Sequence, residues 1–396
     1  MNPLQALVFV CLFISPAFAE NFLVLPFFNT GKSNTVDWVG ESISETIREA
    51  IASEGLLTLG REAREEGFRR LSLKPYFPLT KASVIRLAES IDADYVIFGE
   101  FEVTPVGNPE AKDARAKGLL RISAQALDLR RARRGPDFSE SGKLEDLASM
   151  QFHLAWQTLQ FLLKERKPTE EEFRQRQPLV RVDAIESYIR GVLANSQEQK
   201  LKYFIQAIRL DSRYSHANFE LGKLEFQRKN YRPAADYLQK VAPGGIFYRE
   251  ATFLLGLSRY YLGEFALAAQ AFQIVAQQVP LGEVINNLGA AQSRLRQATA
   301  LENFKKALDG DSSDPVYHFN VGYALLQEGN LDEAAERFRA VLDRDPDDTE
   351  ATTMLGRCLK KTAGKTAARS EGFERLKENY QESAYWQLKA VLEPRR

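Results

Sequence analysis

The sequence is poor in cysteine and histidine, on which disulfide frameworks and most transition-metal sites depend. Its 396 residues include two cysteines and three histidines. Cys11 lies in an apolar N-terminal stretch, so its removal would leave Cys358 alone and no intrachain disulfide could form. His153, His216 and His318 share no metal-ligand spacing. We therefore expect no metal, no cofactor and no disulfide.

Net charge and catalytic motifs are lacking as well. The 53 basic residues are balanced by 53 acidic residues, which argues against nucleic-acid binding because that binding depends on neutralising phosphates. No serine occupies a Gly-x-Ser-x-Gly elbow, and Cys358 has no neighbouring histidine in sequence. We therefore expect that the protein is not an enzyme. The alternative is a hydrolase or transferase site built from His153 and acids that the sequence does not pair.

Long apolar runs are absent after residue 19. Residues 1–19 carry no charge and end in Ala17-Phe18-Ala19, a small-x-small pattern typical of a secretory signal cleaved before Glu20. An uncleaved anchor is the alternative. The sequence therefore predicts an exported, periplasmic protein with cleavage after Ala19.

What the chain does contain is a repeat in its second half. Five glycines, each separated from the next by 33 or 34 residues, mark it: Gly222, Gly256, Gly289, Gly322 and Gly356. Each of the first four is followed by a small residue and, four positions later, by an aromatic residue or leucine on the same helical face: Ala234/Leu238, Ala268/Phe272, Ala300/Phe304 and Ala334/Phe338. A fixed period of this length predicts a solenoid of helix pairs.

Turn and stop signals agree with this period. Gly263 and Gly329 fall between the helices of their pairs, where a short turn requires left-handed backbone. Pro280 and Pro346 end second helices because proline cannot continue them. This pattern resembles the tetratricopeptide repeat family, most completely in residues 315–348, and the resemblance covers about half the chain.

The first half predicts a different unit, of alternating strands and helices. Apolar runs predict strands at Phe22–Phe28, Leu56–Leu59 and Tyr95–Val103, the last with a hairpin partner at Leu119–Leu129. Amphipathic stretches predict helices at Val36–Ser53, Lys81–Ser90 and Leu144–Leu163. The fold class expected for the whole chain is a mixed α/β domain followed by an all-α solenoid.

This first unit resembles the N-terminal α/β domain of TolB and the related FlgO- and CsgG-like modules of the bacterial envelope. The matching phrases are "VLPFFN", "DWVGESISETIREAI", "ADYVIFGEF" and "LRISAQALDL". The resemblance implies a role in envelope assembly or scaffolding rather than an activity.

The domain boundaries follow from these patterns: a signal peptide at 1–19, the α/β domain at 20–165, a linker at 166–182, repeats at 183–362 and polar capping helices at 363–396. The linker is charged and contains Pro168 and Pro178, a composition that favours hinging between the two domains.

The candidate binding residues lie on the first helices of the repeats, which face a concave groove in this family. Counting from each repeat glycine selects Lys223, Phe226, Tyr260, Tyr261, Asn287, Arg294, Asn320, Tyr323 and Gln327. Asn287 and Asn320 occupy equivalent places, and an amide side chain can both donate to and accept from the backbone of an extended peptide. Tyrosines offer rigid amphipathic contact area. The phenylalanines of the same helices, Phe219, Phe253 and Phe319, have core packing as their alternative.

One basic run stands apart from the repeats: Arg130, Arg131, Arg133 and Arg134. It is a candidate for contact with an acidic partner or lipid head groups at a membrane surface. Because it follows a predicted strand and precedes Gly135-Pro136, a solvated hairpin tip is the alternative.

Together these features indicate an exported scaffold or adaptor for protein–protein interaction in the bacterial cell envelope, with a partner segment bound in the concave groove. The alternative is a periplasmic ligand or glycan sensor, whose α/β domain would hold a small molecule near Asn29–Lys32 and 104–108. The sequence does not name the partner or the oligomeric state.

Overall fold

The structure, a computed structural model, describes residues 20–105, 118–163, 167–176, 180–361 and 372–392. The predicted signal peptide, most of the expected ligand loop at 104–108, parts of the linker and residues 363–371 lie outside these ranges. Within them, the fold class is confirmed: a mixed α/β unit precedes a long series of helices.

The α/β unit is built on one sheet with strand order β3-β1-β4-β5-β6, in which β2 also pairs with β4. The strands are β1 (Asn21–Val24), β2 (Phe28–Asn29), β3 (Leu57–Thr58), β4 (Tyr95–Pro105), β5 (Gly118–Asp128) and β6 (Arg133–Lys143). The helices are α1 (Trp38–Ser53), α2 (Arg61–Arg70), α3 (Lys81–Ser90) and α4 (Leu147–Leu162). β1 is parallel to β3 and β4, whereas β4, β5 and β6 are antiparallel.

Helices cover both faces of the sheet, and the alternation of side chains along β1 divides the core accordingly. Phe22 and Val24 point into the cluster formed with α1 and α4. Leu23 and Leu25 point to the opposite face, where Phe68 of α2 and residues of α3 cover them. A strand buried on both faces has a continuous apolar sequence, which is why a strand was predicted here. The single predicted strand at Phe22–Phe28 is, however, divided into β1, which ends at Val24, and β2, which begins at Phe28.

Two elements of this unit were not predicted. α2 has the sequence "REAREEGFRR", in which Phe68 is the one large apolar residue, so its amphipathic signal is weak. β6 contains Gly135-Pro136 and is held by pairing with β5 rather than by its own pattern. As the last strand in the sheet order it tolerates a proline, which removes a backbone donor.

The junction between the two units is ordered where it is described. Thr169 and Glu172 form a reciprocal capping box that begins helix α5 (Glu170–Gln175) inside the expected linker. The core on the α1 and α4 face of the sheet continues without a break into the first repeat helices as far as Leu224. This shared core opposes the hinge that the linker composition favours.

The helical half forms successive antiparallel pairs: α6 (Val182–Leu193) with α7 (Gln197–Leu210), α8 (Ser215–Gln227) with α9 (Tyr231–Leu238), α10 (Tyr248–Tyr261) with α11 (Phe265–Gln278), α12 (Gly282–Arg294) with α13 (Thr299–Gly310), and α14 (Pro315–Glu328) with α15 (Leu331–Leu342). α16 (Thr349–Leu359) follows as a further first helix. Gly263 and Gly329 have φ of +77° and +88°, as the turn prediction requires.

The repeat glycines make room for the second helix of each pair. A Cβ on Gly256 would lie 2.7 Å from the ring of Phe272, and one on Gly289 would lie 2.9 Å from Phe304. Both rings are fully buried. At Gly256 and Gly289 the glycine is therefore required by the close approach of an aromatic side chain to the backbone of the first helix, and at Gly222 Leu238 takes the place of the ring.

The C-terminal region differs from the expectation of capping helices at 363–396. Residues 372–381 form no helix; they run extended, and α17 (Glu382–Leu392) follows them. Glu382 at the start of α17 bonds Arg249 of α10, so the chain has turned back along the solenoid instead of covering its end. Composition could not reveal this, because the segment's stabilising partners lie on distant repeats.

Candidate functional site

The side of the solenoid lined by first helices holds residues 372–381 of this same chain, which we call the groove segment. Its beginning lies at the later repeats, where the Phe373 ring meets Tyr323 of α14 edge-on at 5.8 Å. Its end lies at an earlier repeat, where Tyr380 stacks on Phe253 of α10 at 5.0 Å. The segment therefore runs against the order of the repeats.

Two asparagines clamp the backbone of the groove segment. Asn320 donates to the carbonyl oxygen of Arg375 at 2.8 Å and accepts from its amide at 2.8 Å. Asn287 donates to the carbonyl oxygen of Lys377 at 2.7 Å and accepts from its amide at 2.9 Å. One repeat of the solenoid thus corresponds to two residues of the segment. Because these hydrogen bonds are made to backbone atoms, they do not depend on the side chain, and any residue that can adopt an extended conformation can occupy these positions.

A third asparagine completes the clamp. Asn286 donates to the Arg375 carbonyl at 3.0 Å and accepts from Asn320 at 2.8 Å. All three side chains are fully buried. Buried amides are costly without hydrogen-bond partners, and here the partners come from the groove segment.

Basic side chains of the segment meet acids at the N-terminal ends of first helices. Arg375 bonds Asp348 through two nitrogens, at 2.5 and 2.8 Å, and its guanidinium lies 3.6 Å from the centre of the Phe319 ring. Lys377 donates to Asp314 at 2.6 Å. Asp314 and Asp348 also cap α14 and α16 by accepting from backbone amides, so each carboxylate serves a helix and the segment.

Acidic side chains of the segment meet donors on other helices. Glu374 accepts from Ser293 at 2.6 Å and from the Tyr260 hydroxyl at 3.4 Å, and Arg294 lies 4.0 Å away. Glu378 accepts from the Tyr261 hydroxyl at 2.6 Å. The charges of residues 374–378 are therefore arranged symmetrically around Leu376, with basic residues at 375 and 377 and acidic residues at 374 and 378.

Leu376 is the apolar centre of the segment. It is half-buried and packs against the hydrophobic clusters of two neighbouring repeats. Because it bridges these clusters, an apolar side chain at this position contributes burial that the flanking ion pairs cannot supply.

The electrostatics of the groove fit these contacts. Hydrogen bonds from Arg375 hold the pKa of Asp348 below its ordinary value. Burial, and then the Glu374 carboxylate, raise the pKa of Tyr260. Burial and the hydrogen bond to Glu378 raise that of Tyr261. Both hydroxyls therefore remain protonated donors at any physiological pH.

Six of the nine predicted binding residues contact the groove segment: Tyr260, Tyr261, Asn287, Arg294, Asn320 and Tyr323. The other three contact groove neighbours. Lys223 pairs with Glu250 at 3.0 Å, Phe226 packs on the rings of Tyr231 and Tyr261, and Gln327 accepts from Ser293 at 3.5 Å. That these residues bind a partner stays a prediction.

Phe219, Phe253 and Phe319 are at most 2% exposed and pack in the core, as the alternative prediction had it. Phe253 and Phe319 also present a ring face to Tyr380 and Arg375 of the groove segment. Sequence reasoning missed Asp314 and Asp348, whose helix-start positions indicate capping alone, and it missed the segment they bind.

The basic run lies at the β5–β6 turn. Arg130 lies 3.5 Å from Asp94, Arg131 lies 3.8 Å from Asp128, and Arg134 bonds Asp137 at 2.5 Å. Ala132, in the middle of the run, has φ of +49°, as a tight turn between strands requires. Nearby carboxylates therefore offset much of the charge that would attract an acidic surface.

The three histidines are apart from one another. His153 bonds Glu140 at 2.6 Å, His216 bonds Glu49 at 2.7 Å, and His318 bonds the backbone of Ser312 at 3.0 Å. Among the described residues, no group of three or more histidine, cysteine or acidic side chains is arranged to hold a metal ion. Also within these residues, no helix has the length and apolar character needed to cross a membrane.

The described part of the chain includes two open cavities that bear on binding. One, of about 450 Å³, continues the groove beyond Gly372 and is lined by Phe265, Arg294 and Gln327 among others. The second, of about 260 Å³, lies in the α/β unit between the 76–79 loop and the sheet, beside Phe28 rather than at Asn29–Lys32. Gln125 lines this second cavity, and its buried side-chain oxygen has no hydrogen-bond partner among the described residues.

Comparisons with known proteins identify the class of the helical half. Family models described as tetratricopeptide repeat match residues 250–281, 285–349 and 325–392. Residues 250–392 therefore carry tetratricopeptide repeats, and such repeats imply a scaffold for protein–protein interaction. The resemblance of the α/β unit to the TolB N-terminal domain stays a prediction.

Individual relatives are distant. The chain is similar to the protein CTR9 homolog of Arabidopsis thaliana, with 28% identity over 122 residues, which cover 30% of this chain. The match spans only 11% of that relative's length.

Among solved structures, the chain is similar to YrrB, described as a TPR protein with an unusual peptide-binding site. Identity is 22%, coverage is 43% of this chain and 91% of that one, and the TM-score is 0.40. MamA from Desulfovibrio magneticus RS-1 is similar at 20% identity, with coverage of 40% and 92% and a TM-score of 0.36.

Proposed function

We propose that this protein is an exported, non-enzymatic scaffold of the bacterial cell envelope that binds an extended segment of a protein partner in the concave groove of its repeats. One observation carries the proposal: Asn287 and Asn320 already pair with the backbone of an extended segment, at successive alternate residues. A surface that pairs with backbone in this way suits an extended peptide better than a folded domain.

The envelope assignment rests on the sequence. The uncharged stretch at 1–19 favours export, and the resemblance to TolB-like modules favours the envelope. Mass spectrometry of the protein recovered from the periplasmic fraction tests the export step. A mature N-terminus at Glu20 supports it, and an intact N-terminus in the cytoplasmic fraction would contradict it.

The groove assignment is tested by capture of partners from solubilised envelope. The mature protein is compared with the variant Tyr260→Ala/Tyr261→Ala/Asn320→Ala. The matched control, Tyr203→Ala/Tyr237→Ala/Asn303→Ala, removes two tyrosines and one asparagine from second helices. We expect a protein retained by the wild type and the control and lost by the groove variant. Equal retention by all three, at full helicity, would place binding elsewhere.

A second candidate, the ligand or glycan sensor, is favoured by the cavity in the α/β unit. The unpartnered oxygen of Gln125 there is an acceptor that a ligand could satisfy. Thermal shift with a set of cell-wall fragments tests it, with Gln125→Leu as the variant that should lose any shift. If no fragment raises the melting temperature, the sensor proposal is wrong and only the scaffold proposal remains.

A further inference from the structure

We propose that the groove segment is a tethered, displaceable ligand, and that the partner carries an extended stretch with its pattern: acidic, basic, leucine, basic, acidic. This inference rests on the proposed function, because it names the kind of partner that the groove accepts. It adds that the partner can bind only as residues 372–381 leave the groove, so that one extended segment replaces the other.

The pattern follows from what the groove offers at each position. Asp348 and Asp314 select basic residues at the places of Arg375 and Lys377. Ser293 and Tyr261 select acidic residues at the places of Glu374 and Glu378. A segment with acidic residues at the places of Arg375 and Lys377 would place like charges together at two points, beside Asp348 and Asp314, which costs far more than the loss of attraction.

The groove also needs an occupant. Asn286, Asn287 and Asn320 find their partners in the segment's backbone, and any extended peptide offers the same groups. A partner can therefore replace the groove segment without a net loss of these hydrogen bonds.

The contacts of the groove segment are of a kind that can exchange. Arg375 and Lys377 keep 22% and 28% of their side chains exposed, although the Glu374 side chain is only 1% exposed. Glu350 beside Arg375 is 53% exposed, so this outer ion pair contributes specificity more than stability. Gly372 leaves the adjoining cavity of about 450 Å³ without a side chain. A Cβ at this place would meet the Arg294 guanidinium, so a partner with a larger residue there must move the flexible Arg294 side chain to reach the cavity.

Tethering adds to the contacts of the chain's own segment and makes it an effective competitor. A covalently linked ligand competes at an effective concentration on the order of 1 mM. An external peptide of the same sequence must therefore bind the wild-type protein more weakly than a protein whose own segment has been weakened.

The test uses the full mature chain and a labelled, end-capped peptide with the sequence of residues 372–381, GFERLKENYQ. Arg375→Glu/Lys377→Glu weakens the tethered segment and leaves every groove side chain in place. Fluorescence anisotropy should show the peptide binding this variant about tenfold or more tightly than wild type. Adding Asn287→Ala/Asn320→Ala should abolish the gain, and the charge-reversed peptide GFEELEENYQ should not bind.

Two results would overturn the proposal. One is equal peptide affinity for wild type and a fully helical Arg375→Glu/Lys377→Glu variant. The other is loss of helicity in that variant, which would make the segment a fixed part of the fold. Capture from solubilised envelope distinguishes this inference from the proposed function. If a partner is captured through the groove but the peptide binds wild type and variant equally, only this inference is wrong. If the peptide exchanges but no envelope protein is captured, only the envelope scaffold is wrong.

Discussion

At the scale of single residues, the turns between paired helices repeat one backbone requirement with different residues. Gly263 and Gly329 adopt positive φ after their first helices, and Lys229 and Arg296 do the same at φ of +62° and +57°. A side chain in left-handed backbone costs about 1–2 kcal/mol, which glycine avoids. The two non-glycine turns are therefore strained positions in otherwise regular repeats.

We expect Lys229→Gly to raise the free energy of unfolding by about 0.5–1 kcal/mol, because the relieved strain exceeds glycine's added entropy in the unfolded chain. Urea denaturation followed by circular dichroism measures it. Gly263→Ala, at the equivalent turn, is the matched control and should destabilise by about 1 kcal/mol. Destabilisation by Lys229→Gly would contradict the strain argument.

The same scale shows why the site was only partly predictable. Asn287 and Asn320 were found because their spacing from the repeat glycines is constant and their side chains suit backbone recognition. Asp314 and Asp348 were not, because their partners Lys377 and Arg375 follow 63 and 27 residues later with no intervening pattern. Periodicity identifies the repeat residues that line the groove. Contacts between a repeat and the non-repeating C-terminal segment leave no periodic signal in the sequence.

At the scale of elements, the α/β unit meets the repeats through a half-buried histidine. His216 of α8 bonds Glu49 of α1 and lies among the rings of Tyr188, Tyr214 and Phe247. Burial lowers the pKa of His216, but the Glu49 carboxylate outweighs it, so the pKa lies above 6.5. Burial raises that of Glu49, yet His216 and Arg48 bring it below 4.5.

The sign of the pH dependence follows. The His216 contribution to stability is complete below pH 6.5 and is lost as the pH rises through its raised pKa. The Glu49 contribution is present above pH 4.5 and is lost as the pH falls through its lowered pKa. We expect His216→Gln to destabilise most between pH 4.5 and 6.5, and less as the pH rises further. Denaturation midpoints across this range test it, and a constant difference from pH 5 to pH 9 would contradict it.

Element prediction succeeded where the local signal was strong. α3 was predicted to the residue and β4 and β5 as a hairpin, because their apolar periods are clear. α2 and β6 lack such periods and are held by tertiary contacts. The prediction for the groove segment was wrong for a related reason. Its composition favours a polar helix, and only contacts with the facing repeats keep it extended.

At the scale of the whole molecule, one hydrophobic core joins the α/β unit to the first repeats. It includes residues of α1 and α4 and extends through Phe204 of α7 to Leu224 of α8. The last complete helix pair, with Phe338, belongs to a separate cluster. We therefore expect damage to the first repeat to weaken the α/β unit, and damage to the last pair to leave it intact.

Phe204→Ala and Phe338→Ala test this as a matched pair, since both rings are at most 1% exposed. Each should cost about 3–5 kcal/mol locally. In a Trp386→Phe background, Trp38 and Trp156 report on the α/β unit. Their fluorescence midpoint in denaturant should fall for Phe204→Ala and stay near wild type for Phe338→Ala. Equal shifts would show that the chain unfolds as one unit throughout.

The account as a whole depends on the groove clamping extended backbone, and amide hydrogen exchange of residues 373–381 in the intact mature chain tests this most directly. The Arg375 and Lys377 amides donate to Asn320 and Asn287. They should exchange roughly tenfold or more slowly than in the free peptide. Asn287→Ala/Asn320→Ala should remove that protection, while Asn303→Ala should keep it. Exchange of both amides at the free-peptide rate in the wild-type protein would contradict the account.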